Sequence, residues 1–171
     1  KRTKSMLFIY SPQRKMMTTS GIFEIRSKNK AIRIDGKHDG YPDGWPSWVV
    51  KKVMSEKHKP IEELANEIVA TLRENDLRSY NEILRGSKRF DEATLRKMAD
   101  SNFSVVQSEK DVSDWEYYYV FDLDKNEVVV MSREPKPCPD RDDISCGSEV
   151  VEQFRGSPKD FLTKYLLEMN S

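Results

Sequence analysis

One stretch of ten residues, from Lys37 to Pro46, constrains the fold of this chain most strongly. Its sequence, KHDGYPDGWP, contains two glycines, two prolines and two aspartates, which favour turns and are poorly tolerated inside strands and helices. Alternating apolar residues precede it, and apolar residues at helical spacing follow it. Pro46 suits the first turn of a helix, where a missing N–H costs nothing. The stretch therefore predicts a sharp turn from a strand into a helix.

Two β-hairpins are predicted on either side of the helical part of the chain. The first covers about residues 21–37, and its two β-rich runs are joined by the polar link 27–30. The second covers about residues 115–132 and is dense in Tyr, Val and Phe. Because each pair of runs is joined by a short turn, we expect the two hairpins to join in one antiparallel sheet.

The alternation within the first hairpin predicts which face of the sheet is buried. Ile32 and Ile34 fall on one side of the strand, and Arg33 and Asp35 fall on the other. Such a pattern is typical of an antiparallel sheet that packs on one side and faces solvent on the other.

Helices are predicted from their caps and apolar stripes. The clearest begins at Pro60 and is expected to end near Asp76. Asp91 is a predicted N-cap, and Ser157 is another, followed by a C-terminal helix that should dock on the sheet. The fold class is therefore α+β: a single domain over residues 21–171, with several helices, including the C-terminal one, packed against the sheet. Residues 1–20 are predicted to be an N-terminal arm with a short strand.

Charge and hydropathy argue against two classes of partner. Lys and Arg number 29, as do Asp and Glu, so no overall field draws the chain to nucleic acid or to an anionic membrane. The tyrosines of the second hairpin could stack on bases, but the flanking acidic residues would repel a phosphate backbone. No apolar run approaches the roughly 18 residues that span a bilayer. Nucleic acid and membrane are therefore not expected partners.

The two cysteines, Cys138 and Cys146, lie in a proline-rich segment, residues 135–148, that is predicted to be a loop. Their spacing is not that of a C-x-x-C metal or redox motif, although they could close a small disulfide loop. Two cysteines do not make the disulfide framework of a secreted protein, so free thiols and a cytoplasmic location are favoured. Whether the two cysteines pair is left open.

The obvious candidates for chemistry are His38, Asp39 and Asp43. A histidine beside carboxylates could act as a general base or bind a metal. Neighbouring residues on an extended chain point in opposite directions, however, so His38 and Asp39 are not expected to share one site. The alternative is that both aspartates hydrogen-bond their own turns or cap the following helix. Neither a phosphate-binding glycine loop nor an EF-hand is present, and no metal or cofactor is predicted.

Aromatic residues also lie in this stretch. Tyr41, Trp45 and Trp48 could form a binding pocket, but the helical spacing of the two tryptophans favours packing in the core.

The segment Asp39-Gly40-Tyr41-Pro42-x-Gly44, placed between a hairpin strand and a helix, resembles a signature of small phage and prophage proteins of unassigned function. Those proteins carry a His-Trp-Asp-Gly-Tyr-Pro-x-x-Gly-like pattern. Here Lys37 stands where the family has His, and His38 stands where it has Trp, so a role of the family's His does not carry over. The resemblance implies a similar α+β scaffold and a viral or mobile-element setting.

These observations predict a non-enzymatic binding protein whose contact surface includes residues 37–48. The contact residues are expected to be Lys37, His38, Asp39, Tyr41, Asp43 and Trp45. A protein is the expected partner, and a small ligand is possible. The alternative hypothesis is a small hydrolase or transferase that uses His38 with Asp39 or Asp43.

Overall fold

The computed structural model describes residues 18–84, 90–112 and 114–167, without the side chains of residues 141–145 and 167. Within them the elements are β1 (Gly21–Ser27), β2 (Lys30–Gly36), α1 (Trp45–Ser55), α2 (Ile61–Ile83), α3 (Glu92–Asn102), β3 (Phe103–Val106), β4 (Tyr117–Asp122), β5 (Glu127–Cys138), β6 (Arg141–Gly156) and α4 (Pro158–Leu167). The α+β class is confirmed. The predicted short strand of the N-terminal arm, within residues 1–17, lies outside the described residues.

The strands form one sheet in the order β3-β2-β1-β4-β5-β6. Both predicted hairpins are present, as β1–β2 and β4–β5. The two hairpins meet through β1 and β4, which are parallel, whereas the other neighbours pair in antiparallel fashion. The prediction of a purely antiparallel sheet was therefore wrong. After β2 the chain runs through α1, α2, α3 and β3. The next strand, β4, then lies beside β1 and runs parallel to it.

One face of the sheet carries the main core. Alternate residues of the strands, including Phe23, Ile34 and Tyr119, pack with the apolar sides of α1 and α2 and with Phe161 of α4. Ile34 and Tyr119 are fully buried. Asp91 caps α3 by accepting a hydrogen bond from the N–H of Thr94, as predicted. Burial of these alternating side chains is the main favourable term in holding helices against a sheet.

The second face of the sheet is also covered, which corrects the expectation that it faces solvent. Arg33 and Asp35 are buried there, and the side chain of Glu24 is only 1% exposed. The connection between β3 and β4 lies over this face, because Arg33 donates to the carbonyl of Gln107 and Trp115 packs on its apolar cluster. We call residues 107–112 and 114–116 the covering segment.

Three further predictions were wrong, two of them in the proline-rich segment 135–148 and one at the end of helix α2. The predicted loop 135–148 belongs to β5 and β6, which continue beyond the sheet as a two-stranded ribbon. Cys138 and Cys146 form a disulfide in this ribbon, so the expectation of free thiols was wrong. Helix α2 does not end at Asp76 but continues to Ile83, since helical packing outweighs the turn preference of Asn75 and Asp76.

Candidate functional site

His38 lies just after β2 and is held between two carboxylates. Its Nε2 is 2.7 Å from Oδ2 of Asp76 on α2, and its Nδ1 is 3.2 Å from Oδ2 of Asp39. The side chain of His38 is 27% exposed and that of Asp76 is 12% exposed. Both ring nitrogens are therefore engaged in a partly buried pair of ionic hydrogen bonds.

The backbone of Asp39 makes this arrangement possible. Asp39 has a φ of 51°, in the left-handed region that Asp adopts more readily than most residues. The bend returns its carboxylate to the ring of His38. The expectation that adjacent residues would point apart was therefore wrong, because it assumed an extended chain at this point. The turn preference of Asp39-Gly40 was the sequence signal for the bend.

The charge of His38 follows from this geometry. Burial lowers the pKa of His38, but the hydrogen bonds with Asp39 and Asp76 outweigh it and raise the pKa from 6.5 to about 9. At neutral pH the ring is therefore an imidazolium that donates from both nitrogens.

Asp76 connects His38 to the ends of two other elements. Its Oδ2 also accepts a hydrogen bond of 2.8 Å from Nδ2 of Asn102, which in turn lies 2.7 Å from the hydroxyl of Tyr80. The carbonyl of Asn102 accepts from the N–H of Lys37 at 3.0 Å. The turn after β2 is thus fixed to α2 and to the end of α3. Asp76 is not among the predicted site residues, because its pair with His38 spans 38 residues.

Glycines hold the other side of the turn tightly against the sheet. A Cβ on Gly40 would lie 2.7 Å from the backbone nitrogen of Gly21, so no larger residue fits there without a shift. The N–H of Gly40 donates to the carbonyl of Thr19 at 2.8 Å, and its carbonyl accepts from the hydroxyl of Tyr119 at 2.6 Å. At Gly44 the constraint is stronger, since a Cβ would meet the carbonyl oxygen of Asp39 at 2.1 Å.

Trp45 anchors the turn in the core. Its side chain is buried and its Nε1 donates to the carbonyl of His38 at 2.8 Å. Its ring meets Phe103 edge-on, with centroids 5.6 Å apart. Trp48 is partly buried against the same core. The prediction that the tryptophans pack in the core is confirmed, and Trp45 offers no contact surface.

The other predicted contact residues reach the surface. Lys37 is exposed, and His38, Asp39, Tyr41 and Asp43 are half-buried. The ring of Tyr41 lies beside that of Tyr117, with centroids 5.8 Å apart. The turn thus presents the cation of Lys37, two carboxylates and the ring of Tyr41 at the surface. Its backbone is held in place by contacts with α2 and with the end of α3.

Among the described residues, no three His, Cys, Asp or Glu side chains are placed to hold a metal ion. No helix in this part of the chain is long and apolar enough to cross a membrane. Comparisons of the chain with protein-family models, with curated proteins and with solved structures found no match.

Proposed function

We propose that this chain is a non-enzymatic binding protein and that the turn 37–48 is part of its contact surface. The observation that carries the proposal is the locking of His38 between Asp39 and Asp76. A surface held in one conformation before binding loses little conformational entropy when a partner docks. Lys37, Tyr41 and Asp43 are the side chains that such a partner would meet.

The same observation weighs against the alternative, a hydrolase or transferase that uses His38 as a base. A general base needs a neutral imidazole nitrogen that can accept a proton near the working pH. With a pKa of about 9, only roughly 1% of His38 is neutral at pH 7. Both nitrogens also already donate to carboxylates. A paired imidazolium is suited to holding a turn in place.

The chemistry of the turn favours a protein as the partner. It combines a lysine, carboxylates and a tyrosine within a few residues, and aromatic groups framed by mixed charges are common at protein interfaces. A uniformly basic surface, which nucleic acid would require, is not offered here.

The setting is also a proposal. The resemblance of residues 39–44 to phage and prophage proteins supports a virus–host or mobile-element role. We further propose a cytoplasmic location; the Cys138–Cys146 disulfide weighs against it, because stable disulfides are rare in that compartment. Mass spectrometry of alkylated protein from its native source tests the location, and an intact disulfide there would contradict it.

Site-specific cross-linking tests the contact surface. A photo-reactive phenylalanine analogue at Tyr41 should give a discrete cross-linked partner in the native source. The same analogue at Val150, which is 56% exposed on β6 at the far edge of the sheet, serves as the matched control. With the partner purified, Lys37→Glu should weaken its binding without changing the unfolding midpoint. Equal cross-linking at both positions, or unchanged affinity of the Lys37→Glu variant, would contradict the proposal.

The enzymatic alternative has its own test. His38→Gln removes the candidate histidine base of the turn while keeping hydrogen-bonding atoms in the side chain. Hydrolytic turnover by the wild-type protein that is lost in a folded His38→Gln variant would establish the enzyme instead of the binding protein.

A further inference from the structure

A network of buried polar side chains lies on the second face of the sheet, away from the turn 37–48. The hydroxyl of Tyr118 donates to Oε1 of Glu24 at 2.7 Å, and Nε of Arg33 donates to that hydroxyl at 3.1 Å. Burial, followed by the hydrogen bond to Glu24, raises the pKa of Tyr118 to about 12, so its hydroxyl keeps its proton. Because this hydroxyl already donates and accepts within the protein, Tyr118 offers mainly its ring to a binding surface.

Tyr118 also lines a cavity of about 410 Å³ between the sheet and the covering segment. This volume is in the range of pockets that take small organic ligands. Val120 and Met131 line the cavity from the sheet, and Trp115 lines it from the covering segment. The ring of Trp115 meets that of Tyr118 edge-on, with centroids 5.2 Å apart. Trp115 and Met131 are only partly buried, so the fold leaves apolar surface here that a flat ring could cover.

Four charged side chains line the same cavity, and their charges cancel. Arg26 and Arg133 are the cations, and Glu109 and Asp114 are the anions. All four are exposed, so they lie where the cavity meets solvent. Arg133 lies over the ring of Trp115, with its Cζ 4.5 Å from the ring centroid, and a guanidinium stacked in this way keeps its edge N–H donors available. The cavity therefore offers hydrogen-bond donors and acceptors without a net charge.

The charges next to the cavity cancel as well. The carboxylate of Glu24 pairs with Arg33, at 2.8 Å, and with Arg26. Around the cavity, three arginines thus face three acids: Arg26, Arg33 and Arg133 against Glu24, Glu109 and Asp114. Asp35 is buried on the same face without lining the cavity, so this face has no excess of positive charge. A charged ligand would gain little net attraction here and would lose its hydration.

An uncharged carboxamide group matches the donors and acceptors of this cavity. Its carbonyl oxygen accepts hydrogen bonds, which the guanidinium groups of Arg26 and Arg133 can donate. Its N–H groups donate, which the carboxylates of Glu109 and Asp114 can accept. A carboxylate in the same place would meet the two acids, and an amidinium would meet the two arginines. The amide is therefore the group that can pair with both kinds of side chain without adding a charge.

We propose that this cavity binds an uncharged aromatic amide, a planar ring that carries a carboxamide or lactam group. The ring would pack on Trp115 and Tyr118, and the amide would lie between Arg133 and the acids of the covering segment. Apolar contact supplies most of the affinity in such a site, and the few polar groups fix the orientation. The site is separate from the turn 37–48 and does not rest on its role.

Nuclear magnetic resonance of the indole N–H groups tests the proposal directly. The chain has three tryptophans, and only Trp115 lines the cavity, so Trp45 and Trp48 are internal controls. The ¹⁵N-labelled protein is titrated with benzamide and with two probes of nearly the same shape, the anion benzoate and the cation benzamidine. We expect a saturable shift of the Trp115 signal with benzamide, at a Kd of about 1 mM, and at least about fivefold weaker binding of both charged probes. N,N-dimethylbenzamide, which lacks the N–H donors, should bind at least about threefold more weakly than benzamide.

Two variants with opposite changes of charge test the charge balance itself. Arg133→Gln leaves an excess of negative charge, so benzamidine should bind about threefold more tightly and benzoate more weakly than to the wild type. Glu109→Gln leaves an excess of positive charge, so these two changes should be reversed. Arg96→Gln removes one charge from an exposed ion pair with Glu74 on the helical side and should leave all affinities unchanged.

Three outcomes would overturn the proposal. The first is a Trp115 signal that benzamide does not shift. The second is binding of a charged probe, or of N,N-dimethylbenzamide, that is as tight as that of benzamide. The third is an unaltered preference among the probes in folded Arg133→Gln and Glu109→Gln variants. Loss of partner binding at the turn 37–48 would leave this result untouched.

Discussion

The stability of the protein should fall as the pH rises from about 6.5 to about 9, because of His38. Its pKa is 6.5 for the ordinary side chain and about 9 when it lies between Asp39 and Asp76. The folded protein therefore binds the proton more tightly than the unfolded chain does. The stabilisation is fully present below the lower value and is lost as the pH passes through the higher one.

The size of the effect follows from the same two values. Each tenfold change in proton affinity is worth about 1.4 kcal/mol, so the rise from 6.5 to about 9 stabilises the charged form by about 3 kcal/mol. His38 is 27% exposed, and solvent reduces the attraction of its two carboxylates somewhat. We expect a loss of about 2–3 kcal/mol in the free energy of unfolding across this range, a large part of the stability of a small domain.

Urea unfolding followed by tryptophan fluorescence, at about one-unit steps between about pH 6 and pH 9.5, measures this loss. In His38→Gln the pH dependence in this window should be flat relative to the wild type, because Gln does not titrate. The second histidine, the exposed His58, provides the matched control, and His58→Gln should keep the wild-type profile. Parallel profiles for wild type and His38→Gln would refute the reasoning. So would an imidazole titration of His38 with a midpoint near 6.5.

Three further changes test the packing around the turn and the ribbon. Gly40→Ala should lower the free energy of unfolding by about 1–3 kcal/mol, since its Cβ would lie 2.7 Å from a backbone atom of Gly21; thermal unfolding measures it. Tyr119→Phe should cost about 1–2 kcal/mol in urea unfolding, because the buried carbonyl of Gly40 loses its donor; an unchanged midpoint would contradict that contact. Reduction of Cys138–Cys146 should raise amide hydrogen exchange within the ribbon and leave exchange in the core of the sheet unchanged.

The local elements were predictable because their signals are local. Turn residues between alternating runs located both hairpins, and the cap at Asp91 located the start of α3. The spacing of Trp45 and Trp48 correctly placed both against the core. The parallel contact of β1 with β4 was not predictable in the same way. Alternation specifies which side chains share a face, but it does not specify which strand lies beside which.

The ribbon shows that prolines in a sequence do not always indicate a loop. Pro135 and Pro137 made the segment read as a loop, because a proline cannot donate to a neighbouring strand. Both lie in β5 beyond Ser132, the last residue with a partner in β4, so β5 has a strand on one side only there. A proline is tolerated where its missing N–H would face an unpaired edge. Whether this segment can form a strand depends on its position in the sheet, which the sequence does not show.

The candidate site was predictable only in part for a related reason. His38 and Asp39 were visible as turn residues, whereas Asp76 carried no signal beyond a turn preference that the helix overrode. On the second face, alternation placed Arg33 correctly away from the main core. Its burial could not be seen, because it depends on where the covering segment passes.

The buried ion pair of Glu24 and Arg33 on the second face is expected to add little to the free energy of unfolding. A buried ion pair often stabilises a fold no better than apolar residues of the same volume, since desolvation offsets the attraction. Glu24, Arg33 and Tyr118 link β1, β2 and β4, which are already joined to one another by backbone hydrogen bonds. The network around His38 differs, because it joins a turn to helices that no strand pairing connects to it. We therefore infer that the network around His38 fixes the backbone of the turn, whereas the Glu24 network adds a side-chain link between strands that are already paired.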